Sequence, residues 1–446
     1  MAQFFKASRT NSAKNRILKN VQVEKLDHQG RGIAYFQNKP LFIDGGLIGE
    51  SLDIQISESK KRYSKGLIKK INQACELRIE PGCPHYNECG GCHLQHVEHQ
   101  QQIEIKSAGL VSLFKRFAKQ SALQLEHAII GDPWAYRRTA RFGLQFDKKS
   151  KQLKMGFRRA LSNDLIEQKV CPVLMPQLAD LILPLKSLLN SLNSRMDLGH
   201  VELIYADQGV VVLLRHLKAL PKEDLQLIEQ FSELHKVNFF AQDSKHALAC
   251  LSGNEALSYQ LTDWDCTLTF SPTDFLQVNS HVNQKMVAQA LNWLQLEADD
   301  HVLDLFCGLG NFTLPIATKV ASVVGIEGIE KMVDRASENA ALNNLNNATF
   351  YQADLSASDV DKQVWATQTF HKVLLDPARA GAFDCMLFIT KLKPSHIVYV
   401  SCDPLTLARD SQLLLENGYK LDKLGLLDMF PQTAHMESMA LFIRSK

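Results

Sequence analysis

The pattern of apolar and polar positions changes character twice along the chain. Val21–Leu26, Gly32–Phe36, Pro40–Asp44, Leu52–Ser57 and Gly66–Ile71 are short runs bounded by turn residues, with Gly30, Gly32, Gly45, Gly46, Gly49 and Gly66 as punctuation. They predict five strands of a small OB-like β-barrel over residues 1–72, after a polar start expected to be disordered. Helical spacing then predicts a helix over 98–119, and alternation in Arg141-Phe-Gly-Leu-Gln-Phe146 and Leu153-Lys-Met-Gly-Phe157 predicts a hairpin. These belong to a mixed α/β central region over 73–265. From Cys266 to the end, strands and helices alternate regularly, with strands at 301–305, 321–326, 348–352, 372–375, 396–401, 424–429 and 438–443. That order predicts an α/β domain over 266–446 with a doubly wound sheet, whose ligand site lies at the carboxyl ends of its strands.

Composition adds little to this picture, but the distribution of charge adds more. A chain of 446 residues with 45% hydrophobic and 22% charged residues is an ordinary globular protein of two or three domains. No secretory start and no apolar run of membrane-spanning length is present, so the expected location is cytoplasmic, without a membrane partner. In that reducing setting the ten cysteines are expected to be ligands, catalysts or core residues rather than a disulfide framework. The net charge of +2 hides an asymmetry: residues 1–72 carry 14 Lys and Arg against 6 Asp and Glu. Tyr136–Arg159 carries nine more cations against Asp147 alone. Two basic surfaces far apart in sequence point to a large nucleic acid, with Lys60-Lys61-Arg62-Tyr63-Ser64-Lys65 suited to phosphate contact and base stacking. A solvated face serving only solubility is the plainer reading.

Cys83-Pro-His-Tyr-Asn-Glu-Cys89-Gly-Gly-Cys92 places three thiols in ten residues around a glycine pair, a density that core packing does not explain. Cys171, followed by Pro172, is the best fourth ligand. Spacing does not separate zinc from an iron–sulfur cluster, and His85, His93, His96 and His99 are further zinc donors.

In the last third, His301-Val-Leu-Asp-Leu-Phe-Cys-Gly-Leu-Gly-Asn311 reads as strand, glycine turn and helix, without the third glycine of a dinucleotide site. Glu327 ends the next strand 19 positions after Gly308, placed to accept from ribose hydroxyls, and Asp354 ends the one after, placed for an adenine amine. With no phosphate-binding lysine, this set suits an adenosyl cofactor bearing a sulfonium. Strand 372–375 ends at Asp376-Pro-Ala-Arg379, and strand 396–401 ends at Cys402, with Asp403 as N-cap and Pro404 as first helical residue. A cysteine is most often buried and inert. At a helix N-terminus, however, its pKa is expected to be lowered. Glu437, before the final strand, reads by itself as a loop charge.

Phe306-Cys-Gly-Leu-Gly-Asn311, Asp376-Pro-Ala-Arg379, Ser401-Cys-Asp-Pro404 and Phe430-Pro-Gln-Thr-Ala-His-Met-Glu437 together resemble the RNA uracil-C5 methyltransferases that use S-adenosylmethionine. The N-terminal barrel is similar to a TRAM domain, and Cys83, Cys89, Cys92 and Cys171 resemble the [4Fe–4S] ligands of the branch acting on bacterial 23S rRNA. The resemblance implies a Rossmann-like methyltransferase domain with Cys402 as nucleophile at uracil C6 and Glu437 as base for the C5 proton, His435 being the local rival. It also implies that Gln277, Phe306, Asn311, Glu327, Asp354 and Asp376 line the cofactor and base pocket, with Phe275 available to stack on a displaced base. The expected partner is large-subunit ribosomal RNA, bound by a monomer. Asp403 departs from the Asn of many relatives and makes the field at Cys402 less favourable to a thiolate. Two other readings are a cytosine-C5 RNA methyltransferase and a non-catalytic iron–sulfur RNA-binding factor.

Overall fold

The computed structural model describes residues 16–120, 122–160, 162–357 and 359–445; the polar start expected to be disordered lies outside them. Among the described residues no helix is long and apolar enough to cross a membrane. The chain divides into two compact units. The first comprises the N-terminal segment to Gly82, Cys92–Ser112 and Gln432–Ala434; the second comprises Cys83–Gly91, Leu113–Pro431 and His435–Lys446.

In the first unit, six strands rather than five form one sheet: β1 (Ile17–Gln22), β2 (Lys25–Leu26), β3 (Gly32–Phe36), β4 (Lys39–Ile43), β5 (Ser51–Ser59) and β6 (Ser64–Gln73), in the order β1-β5-β6-β4-β3-β2. The run read as one strand from Val21 is divided. The register against β5 shifts between Leu18 and Val21, and Val23 turns inward to donate to Glu50 while Glu24 donates to Ile33. Val23, Ala34, Leu41, Ile43, Leu52, Ile54 and Ile56 form the core.

The second unit contains two seven-stranded sheets and a short hairpin. Its central sheet comprises β7 (Thr139–Asp147), β8 (Gln152–Arg158), β9 (Leu165–Glu167), β10 (Leu198–Ala206), β11 (Gly209–His216), β12 (Asn238–Gln242) and β13 (Leu248–Ser252). The order is β13-β12-β11-β10-β7-β8-β9, with the predicted hairpin as β7 and β8. The hairpin of β14 (Leu257–Leu261) and β15 (Cys266–Phe270) follows.

The C-terminal sheet comprises β16 (His301–Leu305), β17 (Ser322–Glu327), β18 (Ala348–Gln352), β19 (Lys372–Leu375), β20 (His396–Ser401), β21 (Tyr419–Leu427) and β22 (Glu437–Arg444). The order β18-β17-β16-β19-β20-β22-β21 is parallel from β18 to β20, with β22 inserted antiparallel between β20 and β21. Successive strands leave β16 in opposite directions, which opens a crevice at the carboxyl ends of β16 and β19, the usual ligand position in such sheets. Strands buried on both faces explain the nearly continuous apolar runs. One packing constraint bears on the site: a Cβ on Gly325 of β17 would lie 2.6 Å from the Phe350 ring and 3.0 Å from the Cys307 sulfur.

Candidate active site

The glycine turn leaves β16 through three left-handed residues, Phe306 (φ +64°), Gly308 (φ +56°) and Gly310 (φ +94°). For the two glycines this costs little, whereas for Phe306 it is strained, roughly 1–2 kcal/mol. The strain is held by neighbours: Cys307 N–H donates to Ile326 (3.0 Å) and Gly310 N–H to Cys307 (2.9 Å). Glu327, at the end of β17, accepts from Gly308 N–H through Oε2 (3.2 Å) and from Gly328 and Ile329 N–H through Oε1 (2.9 and 3.1 Å). The carboxylate is thus fixed by two local bonds, from Gly328 and Ile329, plus the long-range contact with Gly308 of the turn.

Asn311 exchanges amide hydrogen bonds with Asn283 (3.0 Å each way) and accepts from the Tyr259 hydroxyl (3.3 Å). Gln277 is positioned through its backbone: its carbonyl accepts from buried Arg138 Nε (2.8 Å), whose guanidinium lies 4.6 Å from the Tyr259 ring centre. Asp354 lies one residue beyond Ala353, whose N–H donates to the Glu327 carbonyl (3.0 Å). Its Oδ1 accepts from Ser356 N–H and Oγ (2.9 and 2.6 Å), which hold its pKa below the usual range.

Cys402 lies where β20 meets the helix Pro404–Glu416, half-buried and as a free thiol. Asp403 caps that helix as expected, its Oδ1 accepting from Leu405 N–H (2.9 Å). The register of β20 on β22 ends with Ser401 paired to Ser438, and Cys402 and Glu437 are the residues next to that last pair, near enough for the Glu437 charge to act on the thiol. Glu437 is buried, 6% exposed, and its Oε2 takes no hydrogen bond. Burial and then the charge of Asp376 push its pKa up to about 8. His435 is exposed and set edge-on to Phe430 (5.7 Å between ring centres).

The expectation of a lowered Cys402 pKa is reversed. Burial first, then Glu437 and Asp376, push the thiol up to about 11, with Arg379 acting in the opposite sense. A helix N-terminus is a weak partial charge, and two nearby carboxylates in a half-enclosed site outweigh it.

Two acids complete the group. Asp376 is pushed up to about 7 by burial. Asp304, absent from the site read off the sequence, is fully buried in β16 and accepts from the Thr313 hydroxyl through Oδ2, while its Oδ1 has no partner. Burial first, opposed by that hydrogen bond and reinforced by Asp376 and Glu327, pushes it up to about 7. Its signal was present, an acid inside the apolar run Val302-Leu303-Asp304-Leu305. Several carboxyls sharing one enclosed edge favour a cationic ligand there.

Of the four proposed metal ligands, Cys83, Cys89 and Cys171 belong to the second unit and Cys92 to the first. Among the described residues no group of three or more His, Cys, Asp or Glu is gathered to hold a metal ion. Within the second unit, burial raises the pKa of Cys83 and Cys89, and Cys83 adds to the shift at Cys89. Gly91 N–H donates to the Cys89 sulfur (3.4 Å). Gly90 packs where a Cβ would lie 3.2 Å from the Arg158 carbonyl oxygen. His85 Nε2 accepts from Lys169 N–H (3.3 Å), which engages one of its two possible donor atoms.

The sequence model described as tRNA (uracil-5-)-methyltransferase matches residues 98–445, and that of the TRAM domain matches residues 16–69. The 23S rRNA (uracil(1939)-C(5))-methyltransferase RlmD of Psychromonas ingrahamii is 71% identical over 442 residues, 99% of this chain and 100% of its own. The protein of the same name from Photobacterium profundum is 48% identical over 461 residues, 100% and 98% respectively. The crystal structure of Pyrococcus abyssi tRNA (uracil-54, C5)-methyltransferase with S-adenosyl-L-homocysteine aligns with a TM-score of 0.73 over 96% of this chain and 100% of that one. At 23% identity that likeness is one of fold.

The buried Glu437 has a consequence for stability. Its ordinary pKa is 4.5, and in the folded protein it is pushed up to about 8. Between these the native state keeps a proton that the unfolded chain has released, so stability falls as pH rises through that window and levels off above it. Glu437→Gln removes the ionisation. Urea titrations are expected to show the variant gaining on the parent, on the order of a few kcal/mol, between about pH 5 and about pH 9. A difference that stays constant with pH would contradict burial of an ionisable carboxyl.

Proposed function

The chain belongs to the tRNA (uracil-5-)-methyltransferase family, and from that premise we propose that it transfers a methyl group from S-adenosylmethionine to C5 of a uracil in 23S rRNA. The target corresponds to the uracil numbered 1939 in the names of its relatives. The observation that carries the mechanism is that Cys402 and Glu437, a thiol and a buried carboxyl with Oε2 unbonded, adjoin the last pair of β20 and β22 and act electrostatically on one another.

Gln277, Phe306, Asn311, Glu327, Asp354 and Asp376 are the residues to hold the cofactor and the base. Bound there, S-adenosylmethionine supplies an electrophilic methyl group on a sulfonium cation. Asp304 and Glu437, each with one buried oxygen left without a hydrogen bond, favour a cation at this edge. Uracil C5 is a poor nucleophile, and addition of the Cys402 sulfur to C6 raises its electron density. Once C5 carries the methyl group, Glu437 takes the C5 proton, the C5–C6 double bond re-forms and the Cys402 sulfur leaves with the pair from the C6–S bond. A carboxyl with a pKa near 8 is well matched to that proton transfer, because an effective base titrates near the working pH. Exposed His435 lacks the enclosed position that such a base needs. The uracil has to leave its stack to reach Cys402.

Cys83, Cys89, Cys92 and Cys171 are proposed as ligands of a [4Fe–4S] cluster. Supporting this are the glycine pair, the N–H directed at the Cys89 sulfur, and buried thiols whose raised pKa would be inverted by a bound cation. The transfer requires no electron, so the cluster's part is structure or RNA contact rather than redox catalysis.

Incubation of the protein and S-adenosylmethionine with a 23S rRNA fragment spanning the target should yield 5-methyluridine at one position. Cys402→Ala should lower the rate by at least roughly a thousandfold. Transfer that persists in the variant, or a methyl group found on cytosine, would overturn the reading. For the cluster, anaerobically purified protein should be brown with broad visible absorption that Cys89→Ser abolishes; a colourless preparation containing zinc would replace iron with the alternative metal.

A further inference from the structure

Beside Phe275 the central sheet carries a groove of about 620 Å³ that the chemistry above leaves unused. It is built by register. Arg141 of β7 pairs with Glu202 of β10, and Glu202 pairs with Leu213 of β11; His200 of β10 pairs with Arg215 of β11, which pairs with Gln242 of β12. A polar cross-strand row, His200–Arg215–Gln242, thus runs beside the Arg141–Glu202 pair, and buried Ile204, Leu213 and Leu276 add apolar lining.

The two arginines differ. Arg141 is neutralised by Glu202 (2.7 Å), which also lies 3.3 Å from His200 Nε2. Arg215 Nη1 donates instead to the neutral Gln242 Oε1 (2.9 Å) and lies 3.2 Å from His246 Nδ1. Among the described residues Arg215 has no carboxylate within 4 Å, so its charge stays available to an anion.

At the rim, Phe275 is 70% exposed. It follows a turn fixed from both sides, Ser271 N–H donating to Asp274 Oδ2 (2.7 Å) and Asp274 N–H to the Ser271 carbonyl (2.8 Å). An exposed phenyl ring next to a fixed turn, lining the same groove as a guanidinium without a carboxylate partner, is a pairing that can take a base and its phosphate. The volume lies within the roughly 300–1,000 Å³ of small-ligand sites, enough for one nucleotide. The segment that carries Phe275 reaches Gln277 two residues later, so this groove and the base pocket share one short stretch of chain.

We propose that this face of the central sheet is a second nucleotide subsite that holds one unpaired residue of the RNA next to the target uracil, with Arg215 on its phosphate and Phe275 stacked on its base. The inference rests on the RNA-methyltransferase reading. Its ligand is single-stranded RNA recognised through a base face and a phosphate, with little choice of base.

The test uses the full chain and an RNA hairpin carrying the target uracil, with 4-thiouridine one nucleotide to either side. Irradiation should crosslink one of the two positions to peptides containing Phe275, Arg215 or His246, and Arg215→Ala should suppress that crosslink. The same variant should raise KM for the RNA roughly tenfold while kcat stays within about twofold, and Arg215→Lys should recover most of the loss because it restores the charge. Unchanged binding of S-adenosylmethionine by the variant would show that the fold is intact. Crosslinks that map only elsewhere, or an Arg215→Ala enzyme with unchanged KM, would overturn the subsite. The crosslink reads binding without turnover, so a parent protein that methylates no RNA would sink the enzymatic reading and leave the subsite to be decided separately.

Discussion

The site depends on one constraint, a carboxyl at the end of β22 that is buried without a partner for one of its oxygens. An isolated carboxylate in such a place is costly, and Glu437 responds by holding its proton up to about pH 8. Its proton in turn governs Cys402. Ionised, Glu437 raises the thiol pKa; protonated, it does not oppose the thiolate. Thiol and carboxyl are therefore electrostatically linked, and in the proposed reaction addition and proton removal call for the two opposite charge states of the same carboxyl.

The surroundings serve that linkage. Asp304 and Asp376 keep the edge acidic without neutralising Glu437, and among the described residues the one cation that acts on Cys402 is Arg379. Such a pocket is incomplete until a positive charge enters it, and the sulfonium of the proposed cofactor is positive. On the other side of the crevice the strain at Phe306 is held by backbone bonds to β17 and by the packing of Gly325 against Cys307 and Phe350. Strained backbone of this kind is kept where surrounding structure over-determines it, often at functional edges.

Much of this was legible locally. The Asp403–Pro404 cap, the glycine turn, Glu327 at its strand end and the basic hairpin each depend on a few adjacent residues, and each is found where the sequence pattern puts it. Convergence was legible only through the family resemblance. Glu437 lies 35 positions after Cys402 and comes near it because β22 threads between β20 and β21, which strand periodicity does not encode. The thiol's raised pKa follows from that meeting and from burial, so a rule about helix ends predicted the wrong direction. Asp304 was read as part of a motif because its isolation depends on the packing above it, and the role of Arg138 in positioning Gln277 requires a contact across 139 residues.

The most direct test of a covalent Cys402 step completed by Glu437 uses the target RNA with 5-fluorouridine in place of the uridine. Fluorine at C5 cannot be removed as a proton, so addition and methyl transfer should proceed and elimination should stop. The account predicts a methylated RNA–protein adduct that survives denaturing electrophoresis and maps to Cys402. An enzyme that methylates the unsubstituted RNA yet forms no such adduct would contradict it.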